Sequence, residues 1–385
     1  MRHWFGVVAC LWLVACATAP PIERPAGLLD DSLFAAPTER ISAADVFALS
    51  AEMKHYLASD IASGLRVKGR QQGLIDAMQT RGQLKLEYDT ALTRNAAQAF
   101  EARAGNCLSL VIMTAALAKE LGLRVRYQSA LTDEVWSHSG NLYLRSGHVN
   151  LSLESRLVDT GTRYPLSPTT IDFLPASEIA GLRTQAITEA TVDAMYMNNR
   201  AAETLTQGRL DDAYAWARES ITQDPGFLSA YNTLGVVYTR HGDLAQAEAA
   251  FRFVLAHAPT HTLALANLAN TEDRLGHETE AAELRRQLAR IDPTPPFHFF
   301  ELGMQAMQRQ DFRAARELFA KEVARADYSP EFHYWLALAN LRLGDADQAA
   351  KHLALAIENS PGHAERELYA AKLAWLRARQ HVPAQ

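Results

Sequence analysis

The chain has 385 residues, of which 48% are hydrophobic and 21% charged, with a net charge of −6 at pH 7. That length allows more than one packed core, and a mildly acidic balance with no basic run argues against nucleic acid as a partner. Beyond the first residues, no segment is apolar enough to span a bilayer.

Arg2 and His3 lead into an apolar run from Trp4 to Ala15 that meets Cys16. A positive start and a hydrophobic stretch of that length read as an export signal, too short for a permanent span. Leu13-Val14-Ala15-Cys16 resembles the bacterial lipobox. The resemblance implies that residues 1–15 are a signal peptide and that Cys16 is lipidated and becomes the new N-terminus. Val7-Val8-Ala9-Cys10 fits more loosely and would leave almost no apolar stretch. A plain secretory signal is the other alternative. Ala17 stands where Asp would imply retention in the inner membrane, so an outer-membrane protein facing the periplasm is implied, held by acyl chains alone. Residues 16–40, with Pro20, Pro21, Pro25 and Pro37, are expected to form a tether.

Residues 41–185 carry no repeat, and their order of elements predicts an α+β domain. Ile41 to Ser63 and Gln71 to Arg81 are predicted helical, and Ala97 to Ala102 a short helix leading into a Gly105-Asn106 turn. Cys107 to Leu121 is a predicted helix, apolar on most sides and stopped by Gly122, so other elements must nearly enclose it. Strands are predicted at Arg124–Ala130, Asn141–Arg145, His148–Leu153 and Thr170–Phe173, with His138 in a loop.

Cys107 is the one thiol left once Cys10 and Cys16 are assigned to the export signal. An unpaired cysteine is unusual in an oxidising compartment. At a helix N-terminus the dipole and the unpaired N–H groups favour a thiolate, which suits a nucleophile. A buried structural thiol is the alternative. A cysteine nucleophile needs a base, and the base needs an acid to orient it. Among His55, His138 and His148, only His148 opens an alternating strand, which fixes its ring; taken alone it also reads as a satisfied or surface histidine. Asp159 and Asp172 are the candidate acids. A hairpin pairing His148 with Asp172 turns near residue 160, where Asp159-Thr160-Gly161 supplies turn chemistry, making Asp159 a turn residue and Asp172 the partner.

Gly105-Asn106-Cys107 at the tip of an apolar helix, the Gly147-His148-Val149 strand and Ile171-Asp172-Phe173-Leu174-Pro175 together resemble the transglutaminase-like superfamily, over roughly residues 80–180. The resemblance implies a papain-like triad: Cys107 as nucleophile, His148 as base, and Asp172 (alternatively Asp159) as orienting acid. Asn150 departs from the family pattern, standing where an aromatic residue is usual, and the His-to-Asp spacing is long. Besides the Cys107 N–H, Gln98 and Trp136 are candidate oxyanion donors. No metal or other cofactor is expected. His257 and His261 straddle Pro259 and share no helix face, and neither a phosphate-cradling glycine loop nor an acidic calcium loop is present.

Gly208, Gly242, Gly276 and Gly344 lie on a 34-residue grid with Gln310 in the remaining slot. Pro225, Pro259, Pro293 and Pro361 lie on a second grid, with Asp327 in its gap, and Ala213, Ala247, Ala281, Ala315 and Ala349 on a third. This pattern resembles the tetratricopeptide repeat, most fully from Leu228 to His261. Five repeats are expected over 194–363, beginning at residues 194, 228, 262, 296 and 330, then a capping helix and tail over 364–385. Such arrays bind peptides or proteins on a concave face. Asn198, Asn232, Asn270, Met304, Met307, Tyr334 and Leu338 are expected to line it, or to fill the superhelix interior.

The expected fold class is thus multidomain: an α+β transglutaminase-like domain of cysteine-protease type, followed by an all-α superhelix. The implied function is a lipid-anchored envelope protein acting on amide bonds through a thioester, as protease, amidase or acyl-transfer enzyme, with the repeats recruiting a protein substrate or partner. The alternative is a non-enzymatic adaptor whose first domain is a degenerate binding module.

Overall fold

A computed structural model describes residues 22–79, 84, 86–89, 92–139, 142–154, 168–173, 183–294, 297–360 and 363–380. Its helical start differs from the expectation of one helix over 41–63. The Ser50 hydroxyl accepts a hydrogen bond from the Met53 N–H and starts helix α1 (Ala51–His55) there. A π-helical turn, Tyr56–Asp60, leads to α2 (Ala62–Lys68), and Gly69 separates that from α3 (Arg70–Gln79). Strand β1 (Glu87–Tyr88), α4 (Ala96–Ala102), β2 (Ala104–Gly105) and α5 (Cys107–Glu120) follow. Every residue of α5 from Cys107 to Ala118 is buried, as its all-round apolarity requires.

Behind α5 stands a four-stranded antiparallel sheet in the order β5-β4-β3-β6. Strand β3 (Arg124–Ser139) pairs with β4 (Leu142–Glu154) almost end to end, with a register shift between Ala130 and Val135. The two predicted strands at 141–153 are therefore one, and His138 lies in β3 rather than in a loop. Strand β5 is Thr169–Ile171. Strand β6 (Arg183–Ile187) was not predicted: its residues are mostly exposed, so an edge strand here carries no alternation of apolar side chains to read.

The repeats are helix pairs: α6 (Glu189–Thr206) and α7 (Leu210–Gln223), α8 (Leu228–His241) and α9 (Leu244–His257), α10 (Thr262–Leu275) and α11 (Glu278–Ile291), α12 (His298–Gln308) and α13 (Phe312–Arg325), α14 (Pro330–Arg342) and α15 (Ala346–Asn359). Helix α16 (His363–Gln380) closes the stack against α15. Gly235 explains why one signature position is small: a Cβ there would meet the Phe251 ring at 2.5 Å. Gln310, in the slot where the grid lacks glycine, keeps the positive φ of 60°. The first pair begins at Glu189, not Ala194, because the Thr188 hydroxyl accepts from the Thr191 N–H and caps the helix earlier.

The stretch expected as a tether is docked over its second half. Phe34 stacks on Tyr214 with ring centroids 4.0 Å apart. Tyr238 Oη donates to the Leu28 carbonyl and accepts from the Asp30 N–H, both at 3.0 Å. Asp212 accepts from the Thr38 N–H at 2.6 Å and from its hydroxyl at 2.7 Å. Trp216 Nε1 donates to Glu39 at 2.9 Å. This strap, residues 28–39, thus binds the second helix of the first pair and the first helix of the next. One buried cluster runs from Leu28 through α5 and the sheet to Leu268, so the α+β part, strap and early repeats share a core. Separate clusters centre on Phe297–Phe332 and on Leu353 with α16. Among the described residues, no helix is long and apolar enough to cross a membrane.

Candidate active site

The Gly105-Asn106-Cys107 turn has a specific physical requirement at each position. A Cβ on Gly105 would lie 2.6 Å from Ser109 Cβ, so only glycine lets β2 run this close to the first turn of α5. Asn106 is the N-cap, its Oδ1 accepting from the Ser109 N–H at 2.9 Å and the Ser109 hydroxyl at 2.8 Å. Cys107 is then the first helical residue, with its own N–H and that of Leu108 left without intrahelical partners. Two donors and the positive end of the helix dipole converge beside the thiol.

Strand alternation supplies the rest. Val149, Leu151 and Leu153 of β4 enter the buried core, while His148, Asn150 and Ser152 form a polar row on the other set of positions. The register Leu151↔Ile171 makes Asp172, the next residue, face Asn150 across the ladder and His148 on the diagonal. Accordingly Asp172 Oδ2 is 2.8 Å from His148 Nε2 and accepts from Asn150 Nδ2 at 2.9 Å. The side chains of His148 and Asp172 are 3% and 5% exposed. With Nε2 engaged by the carboxylate, the Cys107 side chain is the ring's other polar neighbour, close enough to favour its protonated form. Burial disfavours a charged imidazole, but the hydrogen bonds and charges of Asp172 and Cys107 outweigh it and raise the His148 pKa to about 9. Thiol, imidazole and carboxylate stand in series, in a site where the imidazole is protonated at neutral pH.

Asn150 belongs to this group. Its i, i+2 relation to His148 on one strand was the sequence signal for it, since both residues must share a face. Gln98 does not join the group: it is exposed, and its Oε1 accepts from the Asn95 N–H at 3.2 Å in a capping box that starts α4. Asp159 and Cys16 lie outside the described residues, as does the side chain of Trp136.

The groove candidates all lie on the first helices of their pairs. Asn198 is half-buried on α6 with no hydrogen-bond partner for its Oδ1 among the described residues. Asn232 Oδ1 accepts from Asn267 Nδ2 at 3.1 Å, and Asn270 is exposed. Met304 and Met307 pack half-buried against the Phe300 and Phe319 cluster. Tyr334 lies 4.9 Å from the Tyr369 ring of α16, and Leu338 is half-buried. Towards the C-terminus these side chains therefore fill the interior more than they line an open face. Glu272, His277 and Glu280 hold possible metal-ligand atoms within 4.8 Å of one another, but Arg252 already bonds Glu272 at 2.7 Å and Glu280 at 2.5 Å. A guanidinium already occupies that cluster.

Comparison with known proteins bears on the helix pairs. The family model described as tetratricopeptide repeat matches residues 232–296 and 300–364, where the helix pairs are of that kind. The chain is 26% identical over 159 residues to the TPR repeat-containing protein YvcD of Bacillus subtilis (strain 168). That match takes in 41% of this chain and 33% of the relative, so the chain spans about a third of that relative's length. Among solved structures, TTC0263, a TPR protein of Thermus thermophilus, is 20% identical with a TM-score of 0.31, covering 47% of this chain and 99% of that one. PilF of Pseudomonas aeruginosa is 19% identical with a TM-score of 0.31, covering 49% and 85%.

Proposed function

We propose that this chain is a cysteine enzyme of the transglutaminase-like kind, acting on amide bonds, with its repeat array receiving a protein substrate or partner. The observation that carries the reading is the Cys107–His148–Asp172 series, with 2.8 Å between His148 and Asp172 and both side chains buried. The one proton shared by Cys107 and His148 rests on the imidazole as the Cys107 thiolate adds to the amide carbonyl. The oxyanion that forms lies where the N-terminal N–H groups of α5 point. Collapse breaks the C–N bond, His148 gives its proton to the leaving amine, and a thioester remains. Attack by water then releases an acid; attack by a second amine forms a new amide. Asp172, with Asn150 behind it, keeps the ring oriented throughout.

Alkylation by iodoacetamide tests this. Cys107 should react at pH 7 about tenfold or more faster than in His148→Ala, with Asp172→Asn intermediate, since the ring stays but loses its orientation. Equal rates in wild type and His148→Ala would sink the enzyme reading. A second reading, a non-enzymatic adaptor, is favoured by two observations: Cys107 is only 8% exposed, and the family-model match falls wholly on the repeats. Under that reading the repeats carry the function and the thiol is structural.

The proposal includes a lipid anchor on Cys16 and an envelope location, probed by metabolic labelling in a bacterial host. Cys16→Ser should lose palmitate incorporation and membrane partitioning. Retention of both would rule the anchor out.

A further inference from the structure

The turn that carries Cys107 is braced from the repeat array. Thr93, 2% exposed, accepts hydrogen bonds on its Oγ1 from Asn106 Nδ2 at 2.9 Å and from Asn199 Nδ2 at 3.2 Å. A hydroxyl oxygen has two lone pairs, and these two amides use both. The Thr93 N–H donates to Glu203 Oε1 at 2.6 Å, and the next N–H, that of Arg94, donates to Ser109 Oγ at 2.8 Å. Asn199 and Glu203 are four residues apart on α6 and so share one face of that helix. Glu203 Oε2 is in turn held by Arg200 Nη1 at 2.9 Å, and Arg200 Nη2 reaches Glu39 of the strap at 3.2 Å.

Both ends of the Asn106 amide are thereby committed, Oδ1 to the cap of α5 and Nδ2 to Thr93. Apolar packing fixes how far α5 sits from the sheet but is indifferent to rotation of its first turn. Directional bonds are not. The angle at which Sγ meets His148 depends on that rotation, and misplacement by about 1 Å is enough to impair a reacting pair.

We propose that Thr93, Asn199 and Glu203 are positioning residues for Cys107, through which the first repeat helix orients the thiol towards His148. The inference rests on Cys107 being the reacting thiol, and it makes α6 a component of the site rather than the start of an appended module.

The test uses the full mature chain and two readouts: the pH profile of Cys107 alkylation from pH 5 to 10, and amide hydrogen exchange over residues 105–110. Thr93→Val, which keeps shape but loses the acceptor, should slow alkylation at pH 7 by about tenfold, the scale of one buried hydrogen bond. Its pH profile should move towards alkaline values, and Thr93→Ser should restore both. Asn199→Ala, at a less buried position, should change rate and profile in the same direction, which keeps the test decisive if Thr93→Val folds poorly. Unchanged rates and profiles in folded Thr93→Val and Asn199→Ala overturn the inference. Faster exchange with unaltered alkylation overturns it too, since a merely structural brace would do only that. The comparison of wild type with His148→Ala separates the two failures: no His148 effect sinks the enzyme reading and this inference with it, whereas a clear His148 effect with unchanged Thr93→Val and Asn199→Ala sinks this inference alone.

Discussion

His148 is the residue on which the chemistry and the stability of the site meet. Its pKa is raised to about 9 from the ordinary 6.5, with Asp172 and Cys107 overcoming the cost of burial. The native state thus holds a proton that the unfolded chain releases at lower pH. The stabilisation is fully present below about 6.5 and is lost as pH rises through about 9. Thermal melting should show the melting temperature falling between pH 7 and 9.5 in the wild type and falling less in His148→Gln. An equally steep fall in His148→Gln would mean the proton sits elsewhere. Asn150 fits the same logic: where an aromatic side chain would be inert, its amide donates to Asp172 and leaves the carboxylate's acceptor pointed at the ring.

Among the elements, the strap has the largest consequence for its size. Its residues 31–38 are largely exposed, and none has the periodicity that marks a packed helix or strand. It is held by single contacts instead: the Phe34–Tyr214 stack, the Tyr214 Oη bond to Asp31 at 2.8 Å, and the carboxylates of Asp211 and Asp212 accepting from Ala35 and Thr38. Phe34→Ala should cost about 1–2 kcal/mol, the burial of a half-buried ring plus its stacking. A denaturant midpoint unchanged from wild type would show that the strap contributes nothing to stability. The strap also ties Glu39 to Arg200 and Trp216, so its docking orders the face of α6 that supports Thr93.

At the scale of the whole molecule, the repeats are not an independent appendage at their N-terminal end. Solenoid logic, in which each repeat leans only on its neighbours, leads to the expectation that residues 194–380 fold alone. The core running unbroken from Leu28 to Leu268 contradicts that premise. A cut before Ala194 would also remove the first turn of α6 and its Thr188 cap. The later repeats, with their own clusters around Phe300 and Leu353, keep the nearest-neighbour character of a solenoid. The array therefore changes in kind along its length, from part of a shared core to a chain of modules.

What the sequence by itself determined were features whose cause is local or periodic. The 34-residue grids fix the helix pairs because each repeat packs by the same small-residue contacts, such as Gly235 against Phe251. The Gly-Asn-Cys turn was legible because close approach, capping and the helix start each demand one residue type in a set order. Strand alternation made His148 and Asp172 legible as residues of one face, but the expected direct pairing is two residues off: Asn150 stands opposite Asp172 and His148 reaches it on the diagonal. Only the tertiary structure decided what depends on distant segments meeting. The docking of the strap, the edge strand β6 and the brace from Asn199 and Glu203 through Thr93 leave no periodic mark. Each rests on hydrogen bonds or edge pairing between residues far apart in the chain, such as Thr93 and Glu203, 110 positions apart, and polar side chains on an exposed stretch look alike until the fold supplies their partners.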